Sequence, residues 1–247
     1  LLEVLDLRYT QIKGGAPGES DGSQQSVITA NTFKDATALK DLRINSGNLG
    51  SGFATDKKVI DALAFNFNTN LETLEINSGG ALRGGISSLF NNNPNLRYLN
   101  LTNNSFTGSP PNFLNNSNLT YVNLSSNQLD GTIPSYTGAI QQLYLQNNQL
   151  VQINTPGTLS SLSTYQAHNN AIAGDVPDFS GCTNLRSLTL NNNKFTNYKI
   201  GAFVQIYKIN YIDLSFNHLS SIALDNILVD LLDNYKSVKR GGVTINL

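Results

Sequence analysis

The sequence predicts a solenoid in which each repeat contributes one short strand to a long parallel sheet. Three observations support this fold: an apolar pattern recurs, its spacing is regular, and an asparagine follows it at a fixed position. The pattern reads Leu-x-x-Leu-x-Leu-x-x-Asn-x-Leu, and it is most complete in five segments: Leu96–Phe106, Leu119–Leu129, Ile140–Leu150, Leu185–Phe195 and Ile209–Leu219. A unit this short cannot bury its own apolar side chains, so it must stack on copies of itself.

The spacing of the pattern gives the number of repeats. The first apolar residue of each unit marks nine of them: Leu2, Leu39, Leu71, Leu96, Leu119, Ile140, Leu162, Leu185 and Ile209. Successive spacings are 37, 32, 25, 23, 21, 22, 23 and 24 residues. The last six match a repeat period of about 20–29 residues, whereas the first two repeats must contain insertions. We therefore expect nine repeats over residues 1–221.

Each position of the pattern has a physical role. The Leu-x-x-Leu-x-Leu run predicts a strand whose leucines point inward and whose intervening residues point outward. The asparagine is expected to be buried where the strand ends, with its amide bonding the backbone of neighbouring turns. This column contains six residues: Asn104, Asn127, Asn148, Asn170, Asn193 and Asn217. Together these features predict a parallel concave sheet of about nine to ten strands.

These motifs resemble those of the leucine-rich-repeat superfamily. Three middle repeats continue with a glycine and a proline, in Gly108–Pro111, Gly131–Pro134 and Gly174–Pro177, as in the plant-type extracellular subclass. The resemblance covers residues 82–197, and it implies an α/β solenoid, mostly of strands and turns, with a second short strand on its flank. We expect that second sheet to be interrupted in repeats 6, 8 and 9, which lack the glycine and proline.

Both ends of the chain differ from the middle. Apolar residues at helical spacing in Thr55–Phe65 predict a helix on the convex side of the N-terminal repeats. Residues 222–247 read as a closing segment of helix, turn and strand, similar to those of bacterial and bacteriophage surface proteins. Because the chain begins directly with a repeat strand at Leu2, we expect it to be a fragment of a longer protein.

Composition excludes several classes of partner. The chain has 13% charged residues, a net charge of −1 and a pI of about 6.1, so it lacks the basic character of a nucleic-acid binder. The sequence contains no run of 18 or more apolar residues, so it does not predict a membrane-spanning helix. Cys182 is the single cysteine and is expected to be a packed thiol at a repeat position aligned with Asn93 and Asn116. We predict no cofactor and no metal.

The candidate ligand-binding site consists of outward residues at equivalent positions of neighbouring concave strands. Tyr98, Tyr121 and Tyr144 are expected to form an outward aromatic patch, since strands of neighbouring repeats lie about 4.8 Å apart. Exposed tyrosines beside amides are suited to stacking on sugars or to forming the centre of a protein interface. Four further residues complete the predicted site: Gln142, Gln146, Gln166 and His168. A row of alternating charge, Asp6, Arg43 and Glu75, predicts cross-strand ion pairs.

The sequence therefore predicts a recognition domain and not an enzyme, because it contains no nucleophile motif, phosphate-binding loop or metal-ligand spacing. The leading hypothesis is an adhesion domain of a larger surface or virion protein, such as a bacteriophage tail or fibre. Its partners would be a protein or cell-surface glycan and other chains of the assembly, and its location extracellular, cell-surface or virion. One alternative is a plant-type receptor ectodomain that binds a peptide or co-receptor. Another is a structural spacer that decorates a particle.

Overall fold

A computed structural model of the chain describes residues 1–8, 26–45, 59–77, 79, 82–156, 159–238 and 243–247. Ten strands in it form one parallel sheet, here called the concave sheet, in which neighbouring strands come from successive repeats. These strands are β1 (Val4–Asp6), β3 (Asp41–Asn45), β5 (Thr73–Asn77), β7 (Tyr98–Asn100), β9 (Tyr121–Asn123), β11 (Gln142–Tyr144), β13 (Thr164–Gln166), β15 (Ser187–Thr189), β17 (Tyr211–Asp213) and β18 (Thr244–Asn246). The predicted leucine-rich-repeat solenoid with nine to ten concave strands is confirmed.

The inward and outward positions of these strands follow the predicted alternation. In each concave strand from β3 to β17 one inward apolar residue is at most 1% exposed, and the residues on either side of it are partly exposed in most strands. The inward residues are Leu42, Leu74, Leu99, Val122, Leu143, Tyr165, Leu188 and Ile212. The closing strand β18 extends the sheet because Ile245 pairs in register with Ile212.

Shorter strands on the flank form three separate sheets. The first contains β2 (Ser26–Ile28), β4 (Val59–Ile60), β6 (Arg83–Gly85) and β8 (Ser105–Thr107), the second β10 (Thr132–Ile133) and β12 (Gln152–Ile153), and the third β14 (Ala173–Val176) and β16 (Lys194–Tyr198). Repeat 6 forms β12 although it lacks the glycine and proline, so the interruption expected there is wrong. The interruptions fall between β8 and β10 and between β12 and β14. Repeat 8 also lacks the glycine and proline. Repeat 8 nevertheless forms β16, whose Phe195 is buried and donates its N–H to Asn217. Core packing and the asparagine column therefore form a flank strand there without a glycine and proline.

The helix predicted for the N-terminal repeats is wrong where the structure describes it. Residues 59–65 form β4 and then turns, in which the N–H of Ala64 donates to Asp61 and that of Asn66 to Leu63. These bonds span three residues, whereas those of an α-helix span four. Successive tight turns bury apolar residues at nearly the spacing of a helix, so the apolar pattern predicted a helix where turns occur. Most of the two predicted insertions lie outside the described residues.

An aromatic spine runs along the convex side of the first repeats. It consists of five stacked rings, with centroids 5.7–6.4 Å apart, from Phe33, Phe65, Phe90, Phe113 and Tyr136. Four of these rings are at most 4% exposed. Each repeat thus adds one ring to a continuous column, which joins neighbouring repeats through apolar contact.

Two asparagine ladders join the repeats through their backbones. In the predicted column, Asn127 donates to the carbonyls of Leu101 and Leu124 and accepts the N–H of Phe106. The other five members also donate to backbone carbonyls of their own and the preceding repeat, so the expected hydrogen bonding of the column is confirmed. Three of them, Asn148, Asn170 and Asn217, are only partly buried. A second ladder on the convex side connects to the aromatic spine, because Asn93 and Asn116 donate to the carbonyls of the preceding spine residues.

Cys182 occupies the position of this second ladder and is fully buried, as expected. Burial, assisted by the negative charge of Asp178, raises the pKa of the Cys182 thiol to about 12. The thiol therefore stays protonated at pH 8, and the thiolate is the reactive form. We expect a thiol reagent at pH 8 to modify the folded chain at least about 100-fold more slowly than the urea-unfolded chain. Rapid modification of the folded chain would contradict this burial.

The closing helix α1 (Ser221–Val238) is confirmed, and it packs against the last flank strand. Its buried face consists of Ala223, Ile227, Asp230, Leu231 and Asn234. The Asp230 carboxylate accepts bonds from the Tyr198 hydroxyl and from the N–H groups of Gly201 and Phe203. No helix among the described residues has the length and apolar character needed to cross a bilayer.

Candidate functional site

The three predicted tyrosines meet on the outer side of the concave sheet. Tyr98 and Tyr121 are paired in register, and their rings stack with centroids 4.5 Å apart and planes 7° apart. Tyr144 lies on the next strand, with its ring tilted by 47° at 5.6 Å from that of Tyr121. We call these three residues the tyrosine patch. They lie on the fourth, fifth and sixth of the ten strands, in the middle of the sheet.

The orientation of the rings determines what the patch presents to a ligand. The ring separation of Tyr98 and Tyr121 is close to the spacing of neighbouring strands, so the two rings cover each other's faces. The hydroxyl of each ring in the patch lies beside a polar side chain two residues away on its own strand: Asn100, Asn123 or Gln142. The patch therefore presents ring edges flanked by polar groups. Burial raises the pKa of Tyr98 and of Tyr144, and in each case Tyr121 adds a smaller contribution. These two hydroxyls stay protonated at neutral pH and can donate hydrogen bonds.

Amide side chains surround the patch. Gln142 lies in register with Tyr121 and accepts a hydrogen bond of 3.2 Å from the Tyr144 hydroxyl. Gln166 lies in register with Tyr144. Gln146 follows Tyr144 by two residues along the chain and is partly exposed. The geometry thus brings the tyrosines and Gln142 and Gln166 together as the sequence columns predicted.

His168 belongs to a different neighbourhood. Its Nδ1 lies 3.2 Å from the hydroxyl of Thr189, two strands beyond the last tyrosine of the patch. Burial lowers the pKa of His168, although the charge of Asp213 opposes this shift. His168 is therefore neutral at pH 7, and it contributes a hydrogen-bonding group and not a charge.

Sequence reasoning missed a polar cluster around the carboxylate of Asp213, near the C-terminal end of the concave sheet. Asp213 accepts hydrogen bonds from the Tyr211 hydroxyl at 3.1 Å and from the Ser215 hydroxyl at 2.6 Å. Burial disfavours its charged form, but bonds from Ser215, Asn246 and Tyr211 outweigh burial and lower the pKa of Asp213. The sequence signal for this cluster is the spacing of Tyr211, Asp213 and Ser215, because side chains two residues apart in an extended segment lie on the same face. A ligand on the tyrosine patch could extend toward this fixed negative charge.

The opposite end of the sheet is also charged, but it pairs differently from the prediction. Asp6 bonds Arg8, two residues after it and just beyond the end of β1, at 2.6 Å, and Arg43 bonds Asp41 on its own strand at 2.9 Å. The predicted cross-strand contact between Arg43 and Glu75 is longer, at 4.0 Å. Arg8 lowers the pKa of Asp6 to about 2. Residues two apart on one strand share a face, so they compete with cross-strand partners.

A second concavity lies on the flank, where β12 and β14 separate. This open groove has a volume of about 740 Å³, and its lining is small, aliphatic and charged, including Ile153, Asp175, Asp178 and Lys199. Such a lining offers few of the aromatic anchors that dominate binding energy in protein interfaces. Among the described residues, no group of three or more His, Cys, Asp or Glu side chains could hold a metal ion.

The stacked repeats, the concave sheet and the asparagine ladders define a leucine-rich-repeat protein, a class of protein-binding and recognition domains. The chain belongs to the family of BspA type leucine-rich repeat regions, whose model matches residues 26–173 and 175–227 with 6 copies. Members of this family and fold typically serve as protein-interaction modules without enzymatic activity. No curated protein matches the chain significantly in sequence.

Solved structures share the fold. The plant peptide hormone receptor RGFR1, in complex with RGF2, is 28% identical over 74% of this chain and 29% of the receptor, with a TM-score of 0.64. A leucine-rich-repeat protein of Leptospira interrogans is 21% identical over 99% of this chain and 54% of its own length, with a TM-score of 0.65. The leucine-rich repeat domain of APL1B is 18% identical over 79% of this chain and 53% of its own length, with a TM-score of 0.60. The chain therefore spans less than two thirds of each of these proteins.

Proposed function

We propose that this chain is a non-enzymatic recognition domain that binds a protein or peptide on its concave sheet, with the tyrosine patch as the central contact. The observation that supports this most directly is the stacked pair of Tyr98 and Tyr121 beside Tyr144 in the middle of the sheet. Rigid aromatic side chains with polar tips are typical energetic centres of protein interfaces. The predicted ligand residues Gln142, Gln146, Gln166 and His168 would supply the polar contacts at its rim.

The orientation of the rings favours a polypeptide over a glycan. A sugar ring stacks on the face of an aromatic ring, but Tyr98 and Tyr121 cover one face of each other. Their edges and hydroxyls remain for contact with peptide groups and side chains. The negative charge of Asp213, fixed by its hydrogen bonds, favours a ligand with a cationic group toward the C-terminal end of the sheet.

The comparisons support this proposal at a coarser level. The family consists of repeat regions of the protein-interaction class, and the plant receptor was solved with RGF2 bound. We favour a location on a cell surface or outside a cell, as for a hormone receptor. The narrower setting in a bacteriophage tail or fibre is motivated by sequence features such as the closing segment, the single cysteine and the aromatic patch, and the comparisons do not support it. A plant-type receptor ectodomain fits the receptor comparison, and a spacer role would require a concave face that tolerates mutation.

Replacing Tyr121 should disrupt binding most, because its ring contacts both other tyrosines of the patch. Peptides selected from a displayed random library on the wild-type chain serve as the probe. We expect Tyr121→Ala to weaken the binding of such peptides at least about 30-fold, the loss typical of an interface hot spot. Isothermal titration calorimetry measures the change in dissociation constant.

Tyr207→Ala is the matched control, since Tyr207 is a partly exposed tyrosine outside the concave sheet. It should leave the dissociation constant within about twofold. Equal affinity of Tyr121→Ala and wild type for every selected peptide would refute the site. Binding on a glycan array that Tyr121→Ala abolishes, with no peptide selected, would assign the patch to a sugar instead.

A further inference from the structure

The closing helix α1 has a second apolar face, which points away from the solenoid. Five of its apolar side chains are between 45% and 71% exposed: Ile222, Leu228, Val229, Leu232 and Tyr235. At 100° per residue they occupy a stripe of about 140°, on the side of the helix opposite its buried face. A helix that packs against its own protein needs only one apolar face. A contiguous exposed stripe is typical of an interaction surface.

Two opposite charges lie on this stripe. Asp225 lies four residues before Val229, and Lys236 lies four residues after Leu232, so each charge lies one turn beyond an apolar residue. Both charged side chains are exposed. Two pairs of residues lie symmetrically about a point midway between Val229 and Leu232: these two apolar residues themselves, and the oppositely charged Asp225 and Lys236 further out. Ile222, Leu228 and Tyr235 flank this symmetric centre without apolar counterparts of their own.

We infer that this face of α1 pairs with the same face of a second copy of the chain, in antiparallel orientation around a two-fold axis. In that arrangement Val229 meets the partner's Leu232, and Asp225 meets the partner's Lys236. Each contact occurs twice, as in every two-fold interface between identical chains. A parallel pair would instead place like charges opposite each other, which is unfavourable. The charges therefore select the antiparallel arrangement.

The size of the surface sets the expected affinity. Because α1 has 18 residues, it is about 27 Å long, and one helix pair buries less than the roughly 800 Å² per partner of a standard interface. Apolar contacts around Val229 and Leu232 would provide most of the attraction, while exposed ion pairs contribute little. We expect a weak dimer, with a dissociation constant on the order of 10 μM.

Sedimentation equilibrium between about 1 and 200 μM tests the pairing, because this range brackets the expected dissociation constant. Wild type should change from monomer to dimer across the range, and Leu232→Asp should stay monomeric throughout. Leu114→Asp is the matched control, since Leu114 is 66% exposed and lies outside α1, and it should dimerise as wild type does. A wild-type chain that is monomeric at every concentration would overturn the inference and leave the stripe to a different partner.

Charge reversal tests the orientation independently of the apolar contacts. Asp225→Lys should weaken dimerisation about tenfold, because it places a lysine opposite the partner's Lys236 at both ends of the helix pair. It leaves intact the contact of Lys236 with Asp233 on its own helix, at 3.8 Å. The double variant Asp225→Lys with Lys236→Asp should recover most of the affinity. Circular dichroism checks that α1 stays folded, and failure of the folded double variant to recover affinity would overturn the antiparallel arrangement.

Discussion

Asp230→Ala should lower the free energy of unfolding by about 3–5 kcal/mol, since it leaves buried donors without an acceptor. The Asp230 side chain is 3% exposed, and one of its oxygens accepts all three bonds from Tyr198, Gly201 and Phe203. These donors belong to the last flank strand and the turn after it. The carboxylate thus fastens α1 to the end of the solenoid. Chemical denaturation followed by circular dichroism measures the loss.

Asp230→Asn distinguishes the need for an acceptor from the need for a charge. The amide oxygen can take the position of the carboxylate oxygen and accept the same bonds, although each becomes weaker. We expect this variant to lose about 1–2 kcal/mol, the difference between charged and neutral acceptors. If the asparagine variant were as unstable as the alanine variant, the negative charge and not the bonding pattern would hold the helix. A loss below about 1 kcal/mol for Asp230→Ala would show that α1 is held mainly by its apolar face.

The concave sheet was predictable because its signal is repeated. Each strand places its apolar residue against the equivalent residue of the next repeat, so nine weak patterns support one another. The asparagine column was predictable for the same reason: Asn127 and its equivalents satisfy backbone groups that every repeat leaves at the same place. Register also follows from the pattern, which is why Tyr98 and Tyr121 could be placed side by side in advance.

What the sequence did not predict depends on side-chain orientation and on turn geometry. The stacking of Tyr98 on Tyr121, which favours a protein ligand, follows from rotamers and not from register. The pattern in Thr55–Phe65 could not separate a helix from successive tight turns, since both bury residues three or four apart. The polar cluster around Asp213 depends on hydrogen bonds from three different side chains. The aromatic spine was missed although Phe33, Phe65, Phe90 and Phe113 each lie six residues before the next leucine pattern. This position falls outside the eleven-residue pattern by which the repeats were aligned.

The aromatic spine gives the other large effect expected in this molecule. Phe90→Ala should lower the free energy of unfolding by about 3–5 kcal/mol, the usual cost of removing a buried phenylalanine ring. Phe90 is 1% exposed, and its ring stacks between Phe65 and Phe113 at centroid distances of 6.3 and 6.4 Å. The variant removes two ring contacts and leaves a cavity at the middle of the column. Phe67→Ala is the control, because Phe67 is 48% exposed and should cost less than about 1 kcal/mol.

The place along the chain where Phe90→Ala lowers stability distinguishes two roles of the aromatic spine: coupling of neighbouring repeats, or stabilisation of the whole fold. Stability of a solenoid is approximately a sum of repeat terms and nearest-neighbour terms. If the spine couples neighbouring repeats, Phe90→Ala should raise amide hydrogen exchange in the repeats around Phe65 and Phe113 and leave exchange around β15 and β17 nearly unchanged. A uniform rise along the whole chain would mean that the solenoid unfolds as one unit. In that case the column of rings would stabilise the fold globally, and its continuity from repeat to repeat would have no separate role.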